Sequence, residues 1–525
     1  MKKIFIKILG IVGLLLTTLI PQFSVAQERG GRLSMVINPE PATLILGLNL
    51  QAPTQTVGGK IYEGLLAFDK SLKPVPSLAK SWAVSDDGLT YTFQLQDDVK
   101  WHDGEAFTSA DVDFSLGTML PQTHPIARTT MASIESIETP NADTVVITLK
   151  KPFSAFLTAL AMNTAPMMPK HIYEGTDYKK NPANATPIGT GPFKFQEWKK
   201  GEYIQLVRNE DYWIEGLPYL DEILFRVIPD EAARAIALER GDVQVTSFSD
   251  IEYVDIDRFR QSPDFDVTYE GYEFFSPLSW IEINHRKGPL GDKRYRQALM
   301  YAIDRDFIAD AIWFGSAKAA TGPITSTMQF YDPDVSKYAL NLAKAEALLE
   351  EMGLTKDASG VRNKVKLLCL PYGTTFVRTC EYIKQALSKV GIDVTLETVD
   401  RGTWAQKVSN WDYELTLDFI YQLGHPAIGV HRTYVSSNIR NVLFSNTMGY
   451  VNEDIDDLFA QATSETDQDR LQEVYSKAQD ILVEDVPVSW LVEMKFPTVY
   501  RNTVRDLVTT AHGVNGSFAD VWIEK

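Results

Sequence analysis

Cysteine is nearly absent: Cys369 and Cys380 are the two in 525 residues. A chain this long does not need a disulfide framework, so the pair is either a strand-to-helix bridge or two buried thiols. The seven histidines, at 102, 124, 171, 285, 425, 431 and 512, include no pair at zinc-finger or H-E-x-x-H spacing, and no metal site is expected. There is no glycine-rich phosphate loop. Gly189-Thr190-Gly191-Pro192 comes nearest, but it sets a proline where a donor N–H would be needed. No nucleophile sits beside a base, and acidic pairs such as Asp86-Asp87 and Asp456-Asp457 read as solvated faces, so neither an enzyme nor a cofactor is expected. Positive charge is scarce as well. Lys and Arg number 51 against 69 Asp and Glu, a net of −18, which disfavours nucleic acid or an anionic membrane as the main partner. Beyond residue 26 no apolar run approaches the length of about 18 residues that spans a bilayer.

The N-terminus carries an address. Lys2, Lys3 and Lys7 precede an apolar run over 8–20, and Ser24-Val25-Ala26 offers small residues at a cleavage site before Gln27. This predicts a secretory signal peptide over 1–26, with an uncleaved anchor as the alternative. No cysteine follows that would take a lipid, so a free protein in the periplasm is expected.

The rest alternates strand and helix signals. Residues 32–37 read as a first strand, and 38–58, without a period, as a long loop. Alternation over 88–101 predicts a hairpin in which Tyr91, Phe93, Val99 and Trp101 share a face with Trp82 near by. Asp230 and Asp292 are N-caps for helices over 231–240 and from 293 onward. Strand 365–370, helix 375–390 and strand 392–399 form a βαβ unit, which calls for a partly parallel sheet and an α/β fold. Two amphipathic helices follow, around Ile455 to Ala462 and Leu471 to Leu482.

Three stretches carry a resemblance. The first runs through Ser77 to Trp82, Asp86-Asp87-Gly88, and Val99-Lys100-Trp101-His102-Asp103-Gly104 to Val112. The second is Pro187 to Phe193 followed by Arg208-Asn209-Glu210-Asp211-Tyr212-Trp213, and the third is Asp292 to Arg305. In this order they resemble the family 5 solute-binding proteins, receptors of ABC importers for dipeptides, oligopeptides and nickel. The motif residues themselves read as scaffold: turn glycines, a helix cap and an aromatic core. The resemblance implies a periplasmic binding protein-like α/β fold with two main lobes, a two-strand hinge and an inserted subdomain. It divides the chain into a first lobe (27–60, 186–282 and 499–525), the insertion (61–185) and a second lobe (283–498), with crossings near Asn284 and Pro497. It also implies a monomer that closes on its ligand and an inner-membrane ABC permease as partner.

For the ligand, the resemblance points to segments 46–58 and 400–434 facing each other across the cleft. Trp404, Tyr421 and Tyr434 are candidates to stack on a solute, and Gln51, Gln55, Gln422 and Arg432 to hydrogen-bond it. Peptide receptors of the family hold the ligand amine with an Asp where this chain has His425, and neutral His cannot supply that charge. Asp418 is the candidate replacement. The arginine that dipeptide receptors set near 370–372 is missing, with Arg378 and Arg432 as substitutes. A di- or oligopeptide is the expected cargo. A non-peptide solute (an opine-like compound, a sugar conjugate or a chelated metal) is the alternative, and a periplasmic chaperone the more distant one.

Overall fold

The computed structural model describes residues 27–525; the signal-peptide assignment falls outside them. Three sheets organise the chain. A seven-stranded sheet runs in the order Phe265–Thr268, Thr498–Arg501, Val245–Thr246, Arg32–Ile37, Glu222–Val227, Tyr203–Arg208, Phe193–Lys199. The central strand Arg32–Ile37 is parallel to both neighbours, and its residues 33–37 are all buried, as a strand covered on both faces requires. A six-stranded sheet runs Ala317–Ala319, Val488–Met494, Leu278–Ile283, Leu415–Ile420, Asn363–Leu368, Ile392–Glu397. Its last three strands are parallel, with Val365 opposite Val394, and the helix Thr374–Ser388 makes the crossover that the sequence predicts. An antiparallel sheet of four, Ala79–Val84, Thr90–Leu95, Thr144–Leu149 and Ile134–Asn141, builds the insertion. These are two sheet-containing α/β lobes with an extra antiparallel sheet, the arrangement that the resemblance implies.

Several expectations change. The partner of Thr90–Leu95 is the upstream strand Ala79–Val84, with Phe93 opposite Trp82, and not 99–101. Asp98 takes a positive φ of 57° and turns the chain out of the sheet, leaving Val99 and Trp101 as buried loop residues. The loop expected over 38–58 contains a helix, Ala52–Gly58, with Pro53 in its first turn. Its polar residues are buried because tertiary partners take them: Thr54 Oγ1 donates to Thr43 O at 2.8 Å, and Thr56 Oγ1 meets Asn515 Oδ1 at 2.7 Å.

The crossings also move. Leu278–Ile283 belongs to the six-stranded sheet, so the chain passes between the large sheets in 269–277 and returns in 495–497. Pro497 lies in the return link. Asn284 does not lie in either. It follows the far end of Leu278–Ile283, fully buried, and donates Nδ2 to Trp411 O and Tyr413 O at 3.0 Å, so it is a core residue and not a hinge. Cys369 and Cys380 are disulfide-bonded, 6.1 Å apart at Cα, and tie the strand end to the crossover helix.

The second motif stretch converges on one carboxylate. Glu63 is buried and accepts from Thr190 Oγ1 (2.8 Å), Tyr212 OH (2.9 Å) and Trp213 Nε1 (3.1 Å). A Cβ on Gly189 would collide with the Ile61 carbonyl, which is why glycine stands there. His102 donates Nε2 to Gly191 O at 2.9 Å and accepts from Gly189 N–H, so the first and second motif stretches lock together.

Candidate ligand-binding cleft

The last strand of the second lobe before the irregular segment, Leu415–Ile420, delivers Asp418 and Phe419 toward the junction of the lobes. Asp418 is buried, and its Oδ1 accepts the N–H of Phe419 at 2.7 Å. Desolvation, reinforced by the nearby Glu282 charge, pushes its carboxyl well above the usual range. Arg432 lies close enough for its charge to oppose that shift, yet neither group is the other's hydrogen-bond partner. The guanidinium donates Nε to Gly429 O (3.2 Å) and Nη2 to Tyr421 O (3.3 Å). Burial pulls Arg432 down to about 10, with Asp418 pulling the other way.

An aromatic wall borders these charges. Tyr421 packs edge-on against Phe419 (5.6 Å) and Phe275 (5.3 Å), and reaches Phe496 of the return link at 6.5 Å. Phe496 continues the wall into the first lobe through Phe248 (5.4 Å) and Tyr272 (5.5 Å). Tyr372, next to the disulfide, packs against Phe419 at 5.8 Å, and the Arg401 guanidinium lies 4.1 Å from its ring centre. Tyr421, Phe419, Tyr372, Phe248 and Arg432 all keep accessible surface, whereas the strand residues behind them do not.

The lobes meet around this wall. Gly424, at φ 74°, approaches so closely that a Cβ would come within 2.8 Å of Phe274 and 2.9 Å of Thr158. Ser154 of the insertion donates its N–H to Thr463 O (2.8 Å) and its hydroxyl to Ala462 O (2.9 Å), at the end of helix Glu453–Ser464. Tyr269 OH and Ser316 Oγ lie 2.8 Å apart across the first crossing.

Of the residues singled out from sequence, Asp418, Tyr421 and Arg432 come together here. Trp404 and Tyr434 do not. Both are 1% exposed; the Trp404 indole donates to Thr416 Oγ1 (3.1 Å) and the Tyr434 hydroxyl accepts from Trp490 Nε1 (3.0 Å), so they pack in the core. Gln422 has both ends of its amide occupied, by Pro323 O and by Thr325 N–H. Gln55 is likewise taken, by Leu50 O and Asn163 Nδ2, and Gln51 is solvent-exposed. The loop 421–427 packs on Thr158 and Phe274, and Asn163 of the insertion bonds to Gln55 on the helix at 52–58. His425 is buried; its Nδ1 accepts Ala427 N–H at 3.1 Å, capping Pro426–Gly429, and burial lowers the ring to about 3, so it is neutral. Arg378 is exposed on the crossover helix. Sequence reasoning missed Phe248, Phe419 and Arg401. Arg401 and Tyr372 lie far apart in sequence, and only the fold brings them together.

Two α/β lobes, crossed twice by the chain and meeting over buried charge and aromatic surface, define a two-lobed solute receptor. The model of the bacterial extracellular solute-binding proteins, family 5, matches residues 73–438, more than half of the chain, and the chain belongs to that family. Glutathione-binding protein GsiB of Pectobacterium atrosepticum is 29% identical over 445 residues, 83% of each chain. Di/tripeptide-binding protein 1 of Pseudomonas aeruginosa is 28% identical over 510 residues, covering 93% of this chain and 92% of its own. Among solved structures, the ABC transporter-associated periplasmic binding protein DppA from Helicobacter pylori, in complex with peptide STSA, superposes with a TM-score of 0.81 at 26% identity, covering 95% of this chain and 99% of that one. The chain is thus a periplasmic solute-binding receptor of the peptide-binding family, a non-catalytic transport protein that works with an inner-membrane ABC permease. Among the described residues no helix is long and apolar enough to cross a membrane.

Proposed function

We propose that this receptor captures a short peptide, with Asp418 as the partner of its α-ammonium group. The observation that carries the reading is the state of Asp418: a buried carboxylate with one backbone N–H, no cation in contact, and an aromatic wall beside it. A buried charge so poorly compensated takes up a proton; an arriving ammonium restores the charged form and forms a charge-assisted hydrogen bond. Arg432 stands near enough to attract the anionic end of a zwitterion, and Tyr421, Phe419 and Tyr372 offer side-chain surface. The names of the relatives, which bind glutathione, di- and tripeptides and the peptide STSA, point the same way.

Calorimetry with a panel of di- and tripeptides, on the wild type and on Asp418→Ala and Arg432→Ala, tests the reading. Loss of binding in Asp418→Ala with weaker loss in Arg432→Ala is the expected result, together with proton release on binding, read from buffers of different ionisation enthalpy. Near-normal binding in Asp418→Ala with loss in Arg432→Ala would assign the site to an anion instead.

A further inference from the structure

The insertion is fastened to the first lobe and only touches the second. On the first-lobe side His102 bonds to Gly189 and Gly191, Asn163 bonds to Gln55, and Glu63 gathers Thr190, Tyr212 and Trp213. On the second-lobe side the contacts are of another kind: main-chain carbonyls, hydroxyls and bare glycine.

Ser154 follows the strand Thr144–Leu149, and Gly88 turns the chain between Ala79–Val84 and Thr90–Leu95. With Thr90 opposite Thr148, both lie at one end of the insertion's sheet. Ser154 donates its N–H to Thr463 O (2.8 Å) and its Oγ to Ala462 O (2.9 Å). Those carbonyls belong to the last turn of helix Glu453–Ser464, where an α-helix has acceptors without partners in its own ladder. Glu465 N–H reaches back to Gln461 O at 3.0 Å and takes the first of them. Ser154, from another part of the molecule, takes the next two. Beside it the motif turn Asp86-Asp87-Gly88 is held locally: Asp87 Oδ1 accepts Leu89 N–H (3.0 Å) and Gly88 N–H donates to Ser85 O (2.8 Å). A Cβ on Gly88, which holds φ 67°, would come within 2.9 Å of Thr466 Cγ2, two residues past the helix end. Thr158 against Gly424 is a third point of contact.

We propose that the insertion is a latch: Ser154 caps the helix Glu453–Ser464 of the second lobe when the lobes close, and this contact sets how long the receptor stays closed. The chain joins the two large sheets through 269–277 and 495–497, while the insertion moves with the first lobe. Any opening about those links parts Ser154 from the helix. Parting is reversible, because carbonyls at a helix end are readily hydrated and the groups that separate carry no charge. The bond therefore biases the closed state without locking it. It responds to closure and not to the chemistry of the solute, so it stands independently of the peptide reading.

The test needs no solute. Gly88→Cys with Thr466→Cys sets two thiols within bridging reach across the contact. The protein is unfolded and refolded with its native disulfide intact, to strip any solute carried through purification. Diamide is then added and bridge formation is followed by mass spectrometry. Gly88→Cys alone is the unbridged reference and carries the same strain at φ 67°. The bridge is expected to form as the receptor samples its closed state, and the bridged protein should show a smaller radius of gyration in small-angle X-ray scattering than the reference. Adding Ser154→Ala should slow bridge formation about twofold to tenfold, the effect of one net hydrogen bond, with the fold of each variant checked by thermal unfolding. Failure to bridge would show that the contact is not made in solution. Equal radii of bridged and reference proteins would show that it never opens. An unchanged rate in Ser154→Ala would show that Ser154 does not hold the closed state. Each of these results overturns the latch and leaves the peptide reading untouched.

Discussion

Two buried carboxylates, one in each half of the molecule, face the same penalty and meet it differently. Glu63 is surrounded by donors that the chain itself provides from two separate stretches, Thr190 and the adjacent Tyr212 and Trp213. Asp418 receives one backbone N–H and stands near a second carboxylate, Glu282, and an arginine whose bonds go elsewhere. A protein satisfies its buried polar groups when they serve the fold. A charge left half-satisfied, at a junction of lobes and beside accessible aromatic rings, is arranged for something that arrives later. Glu282 supports the contrast: although buried, it accepts from Tyr413 OH and Thr447 Oγ1 and belongs with the structural kind.

The contrast breaks if the two carboxylates respond alike to removal. Asp418→Ala should weaken peptide binding by about 2–5 kcal/mol, roughly a factor of 30 to several thousand, and leave thermal stability unchanged or higher, since a buried carboxyl held by a single backbone hydrogen bond is gone. Glu63→Ala should do the reverse: it strands three donors, two of them buried, and should cost about 3–5 kcal/mol of stability, with Kd unaltered in the folded fraction. Calorimetry and chemical unfolding of both variants decide it, and equal effects on binding would erase the distinction.

The pH dependence sharpens the same comparison. Burial raises Glu63 to about 7 against the opposing pull of its three donors. A carboxyl whose folded value lies above its unfolded value binds more protons when folded, so its stabilisation is full below pH ~4.5 and disappears as pH rises through about 7. Wild type should therefore lose up to about 3 kcal/mol over that window relative to Glu63→Gln. Identical slopes in the two proteins would mean that the carboxyl titrates normally.

A step smaller is the disulfide. Cys369–Cys380 closes a short loop that carries Tyr372. Replacing both cysteines by serine should cost about 2–3 kcal/mol of stability and lower peptide affinity several-fold, by loosening the turn that holds Tyr372 against Phe419. Unchanged affinity would remove Tyr372 from the binding wall.

How much of this was readable beforehand follows from which forces act locally. The βαβ unit and the capped helices were legible, because apolar period and cap residues sit in consecutive sequence: Asp230 Oδ1 does accept Ala233 N–H, and Gly241 does end the helix with φ 83°. The helix at 52–58 was not, since its Gln and Thr residues earn burial only through Thr43 and Asn515, far away in sequence or out of register. The hairpin partner was misjudged because an aspartate pair can turn a strand back or lead it out of the sheet, and alternation alone does not say which. Within the cleft, Asp418 was visible only as a substitute for a missing acid. Trp404 and Tyr434 looked like ligand surface because an aromatic in an irregular segment reads the same whether its polar atom meets a solute or, as here, Thr416 and Trp490.

The smallest expected effect belongs to His425, and it is the finest probe of where the amine sits. The ring is buried and neutral, packs edge-on against Phe330 at 5.5 Å, and caps a short helix through Nδ1. All three are structural duties. Asparagine retains the cap acceptor and loses the ring, so His425→Asn should cost about 1 kcal/mol of stability and change Kd by less than threefold. The sign of any pH effect is also set: a histidine held below its usual value stabilises the fold above pH ~6.5 and loses that contribution as pH falls toward 3, so the variant should be less acid-sensitive than wild type. A tenfold loss of peptide affinity at unchanged stability would show instead that His425 touches the ligand. The ligand would then lie against the loop 421–427, which carries no carboxylate, and Asp418 would lose its assignment to the amine.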